Sequence, residues 1–113
     1  MKTKHFYSHL VETTHITLEL ASLDVTSEER VHLLSLVEAN IHSTVVSKTL
    51  SQLSEEDKKT FLKNLALENH EQTLSHLKTK VNDIEEKLKK EIDRVTKELL
   101  EDVKKVKENQ DKK

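Results

Sequence analysis

An apolar stripe runs through residues 74–106 in steps of three or four: Leu74, Leu77, Val81, Ile84, Leu88, Ile92, Val95, Leu99, Val103 and Val106. That spacing is the period of one helix face. From Leu77 onward the positions group by elevens, as Leu77-Val81-Ile84, Leu88-Ile92-Val95 and Leu99-Val103-Val106. Eleven residues in three turns is about 3.67 per turn, so the stripe stays nearly straight or drifts toward a right-handed supercoil. The rest of the chain has to be fitted to one long amphipathic helix whose stripe needs cover.

Composition limits what can interrupt such a helix. Neither Gly nor Pro occurs in the 113 residues, where average usage would supply about eight Gly and five or six Pro. Without Gly, turns at positive φ and phosphate-cradling loops lose their usual residue. Without Pro, only capping chemistry stops a helix. The absence of Cys excludes disulfides, thiolate metal sites and Cys nucleophiles, and fits a reducing compartment. Two Phe, one Tyr and no Trp leave little for an aromatic-lined pocket. Basic residues open the chain but no apolar run follows them, and the longest strongly apolar stretch, 31–37, is too short to span a bilayer. The expected location is the cytoplasm, and the expected size is one domain.

Taken in order, residues 4–23 place Tyr7, Leu10, Val11, Thr14, Leu18 and Ala21 at helical spacing. Ile16, Leu18 and Leu20 also alternate as a strand would, but a lone strand would have no partner, so a helix over 4–23 is expected. Thr26-Ser27-Glu28-Glu29 is a capping box. Behind it Val31, Leu34, Val37, Ile41, Val45, Val46 and Leu50 predict a widely apolar helix over 26–51, the centre of the core. Ser54 followed by three acids starts a helix over 55–67, with Phe61, Leu62, Leu65 and Ala66 on its apolar face. Asn69 and Gln72 open a fourth helix over 69–108, about 58 Å long at ~1.5 Å per residue, and 109–113 reads as a disordered polar tail. The fold class is all-α: a small bundle of three shorter helices with a long amphipathic C-terminal helix carrying an 11-residue apolar repeat.

Around 50–65, LSQLSEEDKKTFLKNL, the chain resembles a family of small, uncharacterised all-helical bacterial proteins found largely in candidate-phylum genomes. The shared pattern is the capped helix at Thr26-Ser27-Glu28-Glu29, then Leu53-Ser54-Glu55-Glu56-Asp57 with Phe61, then a charged helix over 81–100. It covers 16–103. The resemblance implies an all-helical fold and brings no activity, cofactor or functional residue.

The chemistry-bearing residues are sparse. His5 and His9 stand one turn apart with Glu12 three further on, a spacing that suits zinc, but no fourth ligand is evident and all three read as surface residues. His70-Glu71-Gln72-Thr73-Leu74 begins like a metalloprotease helix and fails at Leu74. The acids alternate with Lys as on a solvated face, and no catalytic set, cofactor site or nucleic-acid surface emerges. The expected function is therefore non-enzymatic: helical interaction or coiled-coil oligomerisation with a second copy or another helical protein. Because the helix over 26–51 can fold back over only half of the long one, the expected contact residues are Ile92, Val95, Leu99, Val103 and Val106. The alternative is peripheral lipid-surface binding through the same amphipathic helix.

Overall fold

A computed structural model describes residues 5–111 and, within them, all side chains except those of Thr13, Thr14 and 106–111. It is all-α. A 3-10 turn at Ser8–Leu10 precedes α1 (Thr13–Ala21), α2 (Ser27–Ser51), α3 (Glu55–Ala66), α4 (His70–Lys80) and α5 (Ile84–Asp111). None of the described helices is long and apolar enough to cross a membrane.

The capping chemistry sits where local sequence places it. The Thr26 hydroxyl accepts from the Glu29 amide at 3.1 Å, and the Glu29 carboxylate accepts from the Thr26 amide at 3.0 Å, closing the capping box of α2. Ser54 accepts from the Asp57 amide at 3.2 Å and opens α3 beneath three acids.

Three expectations need correction. The helix expected over 4–23 is a 3-10 turn followed by the shorter α1, with Val11 extended between them; the Ser8 hydroxyl accepts from the His5 amide at 2.7 Å and folds the segment locally. Residue 4 lies outside the described residues. The single helix expected over 69–108 is two helices, broken at 81–83, where Val81 is extended and Asp83 takes φ 55°. Finally, the tail expected from 109 is helical through Asp111, and Lys112 and Lys113 lie outside the described residues.

Both sharp corners use a non-glycine residue at positive φ. At the end of α3, Glu68 takes φ 57°. Its amide bonds to the Leu65 carbonyl at 3.1 Å, and the Asn69 amide to the Asn64 carbonyl at 3.1 Å. These are the two bonds of a Schellman motif with Glu where Gly is usual. The Asn69 side chain does not cap α4; it donates to Gln72 at 2.8 Å. At the second corner Asp83 provides the carbonyl that accepts from the Lys87 amide at 3.0 Å, the first helical bond of α5.

The break at 81–83 makes the bundle compact. α5 has 28 residues and α2 has 25, or roughly 42 and 38 Å, so the two lie antiparallel at matched length. The Lys87 ammonium reaches the Gln52 side chain at one end. α1 lies alongside α5 and points the same way, with Glu12 on Lys89 at 3.1 Å and Glu19 on Lys104 at 2.6 Å. Val37, Ile41 and Val45 of α2, Ile16 and Leu20 of α1, and Ile84, Leu88 and Ile92 of α5 enter one core. α3 and α4 form a hairpin closing its lower end, where Phe61 is fully buried and meets Phe6 edge-on at 5.6 Å. Each fully buried Leu, Ile or Phe side chain contributes about 1.5–3 kcal/mol, which outweighs the αL cost of Glu68 and Asp83, about 1–2 kcal/mol each.

Candidate functional site

The three metal candidates are drawn to three different partners. His5 lies parallel to the Tyr7 ring at 5.0 Å and 4.7 Å from the His42 ring. His9 pairs with Glu85 on α5, which also holds Lys78 at 3.2 Å. Glu12 pairs with Lys89. Among the described residues no group of three His, Asp or Glu side chains stands together as a metal would require.

What the N-terminal segment builds instead is a buried aromatic and imidazole cluster. Phe6 and Tyr7 are both 2% exposed. The Tyr7 hydroxyl and His42 Nδ1 are 2.9 Å apart, which ties the segment to the middle of α2. Burial, with Glu38 adding to it, pushes the Tyr7 hydroxyl up to about 12, so it is protonated. Burial, then the His42 and His70 imidazoles, hold His5 below its ordinary value, against the opposing pull of Glu38. Helical spacing cannot reveal this cluster, because Tyr7 and His42 are 35 positions apart.

The expected contact residues are mostly covered within the chain. Ile92 is 1% and Val95 9% exposed, and Leu99 is partly buried against the core. Val103 is half-buried, and the Val106 side chain lies outside the described residues. The expectation that this half of the stripe lacks cover is therefore corrected for Ile92 and Val95. The corner at 81–83 turns α4 aside and lets α2 run beside α5 for most of its length, while α1 fills the remaining side.

Apolar surface is left elsewhere. Leu18 is 65% exposed, Val31 66% and Leu36 47%, on α1 and α2. Glu19 meets Lys104, which places Leu18 near the C-terminal end of α5. Counting back from the Lys87–Gln52 contact at ~1.5 Å per residue on each helix puts Leu36 level with Val103, and Val31 lies one turn and a half beyond. These exposed side chains thus belong to the distal end of the bundle, away from the α3–α4 hairpin. Between α1 and α5 lies an open groove of about 310 Å³, floored by Ile16, Ile92 and Leu100 and rimmed by Glu19, Glu101 and Lys104. Two further exposed leucines, Leu62 and Leu67, lie on and just after α3. The sequence signal nearest this distal site is the apolar stripe on α2, too wide for one neighbour, which includes Val31; Leu36 lies beside it.

Compared with known proteins, the chain matches no family model, no curated protein and no solved structure.

Proposed function

We propose that this protein is a non-enzymatic helical association module that pairs with a second copy of itself through the distal end of its bundle. The observation that carries this reading is the exposure of Leu18, Val31 and Leu36 at that end, while the neighbouring Ile92, Val95 and Leu100 are taken up by the core. Large apolar side chains contributed by two helices at one end gain about 1.5–3 kcal/mol each when covered. The end also offers both signs of charge, with Glu19, Glu101 and Lys104 around the groove, so ion pairs between copies are available there. Lipid-surface binding through α5 has less support, since Ile84, Leu88 and Ile92 face the core and would have to leave it.

Sedimentation equilibrium from low to high micromolar concentration tests the proposal. The wild-type chain is expected to self-associate, and Val31→Glu combined with Leu36→Glu to stay monomeric with unchanged helicity. A wild-type chain that remains strictly monomeric, or a double variant that associates as readily, would overturn it.

A further inference from the structure

The apolar stripe does not stop at the corner between α4 and α5. Leu74, Leu77, Val81, Ile84 and Leu88 keep steps of three and four straight through it, which is the pattern of one uninterrupted helix. Yet the backbone breaks there, with Val81 extended and Asp83 at φ 55°. No Gly or Pro enforces the break. Val81, Asn82 and Asp83 are tolerated in a helix, although Asn and Asp also suit turns, and a left-handed non-glycine residue relaxes when the helix runs through it. The period of the stripe favours a straight path, and the packing of α5 against α1 and α2 favours a bent one.

We propose that this conflict is resolved in a second way, by exchange of α5 between two copies of the chain. The corner opens, α4 and α5 join into one helix, and α5 of each copy lies against α1 and α2 of the other. The occupant is dictated by the fold. α5 already fits that groove with Ile84, Leu88, Ile92, Val95 and Leu100 buried, and the α5 of a second copy presents the same side chains. The cross-helix ion pairs Glu12–Lys89 and Glu19–Lys104 re-form between copies, as does His9–Glu85. Among the described residues the corner at 81–83 is the link between α5 and the rest of the bundle, so opening it alone re-aims the helix. α4 stays with α3, held by Asp57 facing both His76 and Lys80. A joined helix over 70–111 spans about 60 Å, longer than the 54 Å long axis of the bent chain, so the exchanged dimer is markedly extended. Apart from contacts across the corner such as Lys78–Glu85, the surfaces that α5 covers are the same in both forms, so the conformation of the corner weighs heavily in the balance. This exchange would return Ile92, Val95 and Leu99 to the role of contact between copies, and it does not depend on the distal surface proposed above.

The test varies the corner and locates α5. Wild type, Asn82→Ala with Asp83→Ala, and Asp83→Gly are refolded at high concentration and their dimer fractions measured by light scattering. The alanine pair, which favours a continuous helix, is expected to raise the dimer-to-monomer ratio about tenfold, equivalent to ~1.4 kcal/mol. Asp83→Gly, which relieves the left-handed residue and weakens a helix through it, is expected to lower the ratio. Since the chain has no Cys, spin labels are placed through Ser47→Cys on one pool of copies and Lys90→Cys on another, and the pools are refolded together. The exchanged dimer shows between copies the same 47–90 distance that a doubly labelled monomer shows within one. Dimers lacking that intercopy distance, or equal dimer fractions in all three proteins, would overturn the proposal. If the alanine pair fails to fold, wild type against Asp83→Gly decides. Dimers formed through Leu18, Val31 and Leu36 keep the 47–90 distance within each chain, so the two modes of association are told apart.

Discussion

His5, half-buried, is faced by groups that set its charge. His42 and Glu38 approach from α2, His70 from the start of α4, and the Tyr7 ring covers its face. Burial and the two imidazoles together outweigh Glu38, and the folded chain holds His5 neutral at pH values where the free side chain, with its pKa of 6.5, accepts a proton. The unfolded state then binds more protons as pH falls below about 6.5, so stability is full above that value and declines below it. Comparing wild type with His5→Phe isolates the contribution of His5 while keeping a ring against Tyr7. Melting temperatures between about pH 7.5 and pH 5 are expected to fall more steeply for wild type than for the variant. Parallel curves would show that His5 is indifferent to its neighbours.

The helices divide into what local chemistry specifies and what packing imposes. The starts of α2 and α3 are legible from the sequence because the N-cap hydroxyl meets the amide three residues on within a single turn, and at α2 the acid there completes a capping box. The ends of α3 and α4 are not, because their turns are made by Glu68 and Asp83 in place of Gly: Glu68 does not advertise a left-handed backbone, and the weak preference of Asp83 is masked by an apolar stripe that runs through it unbroken. A chain without Gly leaves that cost in place at Glu68. Glu68→Gly is therefore expected to stabilise the protein by about 0.5–1 kcal/mol, the αL relief less the added freedom of the unfolded chain. That would raise the melting temperature by a few degrees. Thermal unfolding checks it, and a lower midpoint would mean that Glu68 makes a contact outweighing its strain. The ion pairs tell the same story at longer range. Spacing along α5 suggests Glu85 with Lys89, whereas Glu85 turns to His9 and Lys78, and Lys89 to Glu12 and Asp93. Pairing between helices cannot be read from spacing within one.

At the scale of the whole molecule the all-α bundle was legible, and the cover of its longest helix was not. A helix of about 58 Å would outrun its neighbours; a corner at 81–83 shortens it until α1 and α2 suffice. The position of Ile92 turns on this. On an exposed stripe Ile92→Lys would dissociate an assembly and leave each copy folded. At 1% exposure it places an unpaired charge in the core, a cost of about 3–5 kcal/mol, against a total stability of roughly 5–15 kcal/mol for a domain of this kind. Circular dichroism is expected to show the Ile92→Lys chain largely or marginally unfolded, and Val31→Lys as helical as wild type. A folded Ile92→Lys monomer would place the residue at the surface. The distal site shared this limit: Leu18 and Val31 fit helical stripes and Leu36 lies off the one on α2, and only the packed bundle shows which apolar positions remain outside the core.

Whether α5 is covered by its own chain is tested most directly by native-state amide hydrogen exchange at low micromolar concentration, where association is minimal. Covered within one chain, the amides of Leu88, Ile92, Val95 and Thr96 exchange as slowly as those of Val37, Ile41 and Val45 in α2, and dilution leaves their protection unchanged. Rapid exchange beyond Ile92 at low concentration, with protection appearing only as concentration rises, would contradict it.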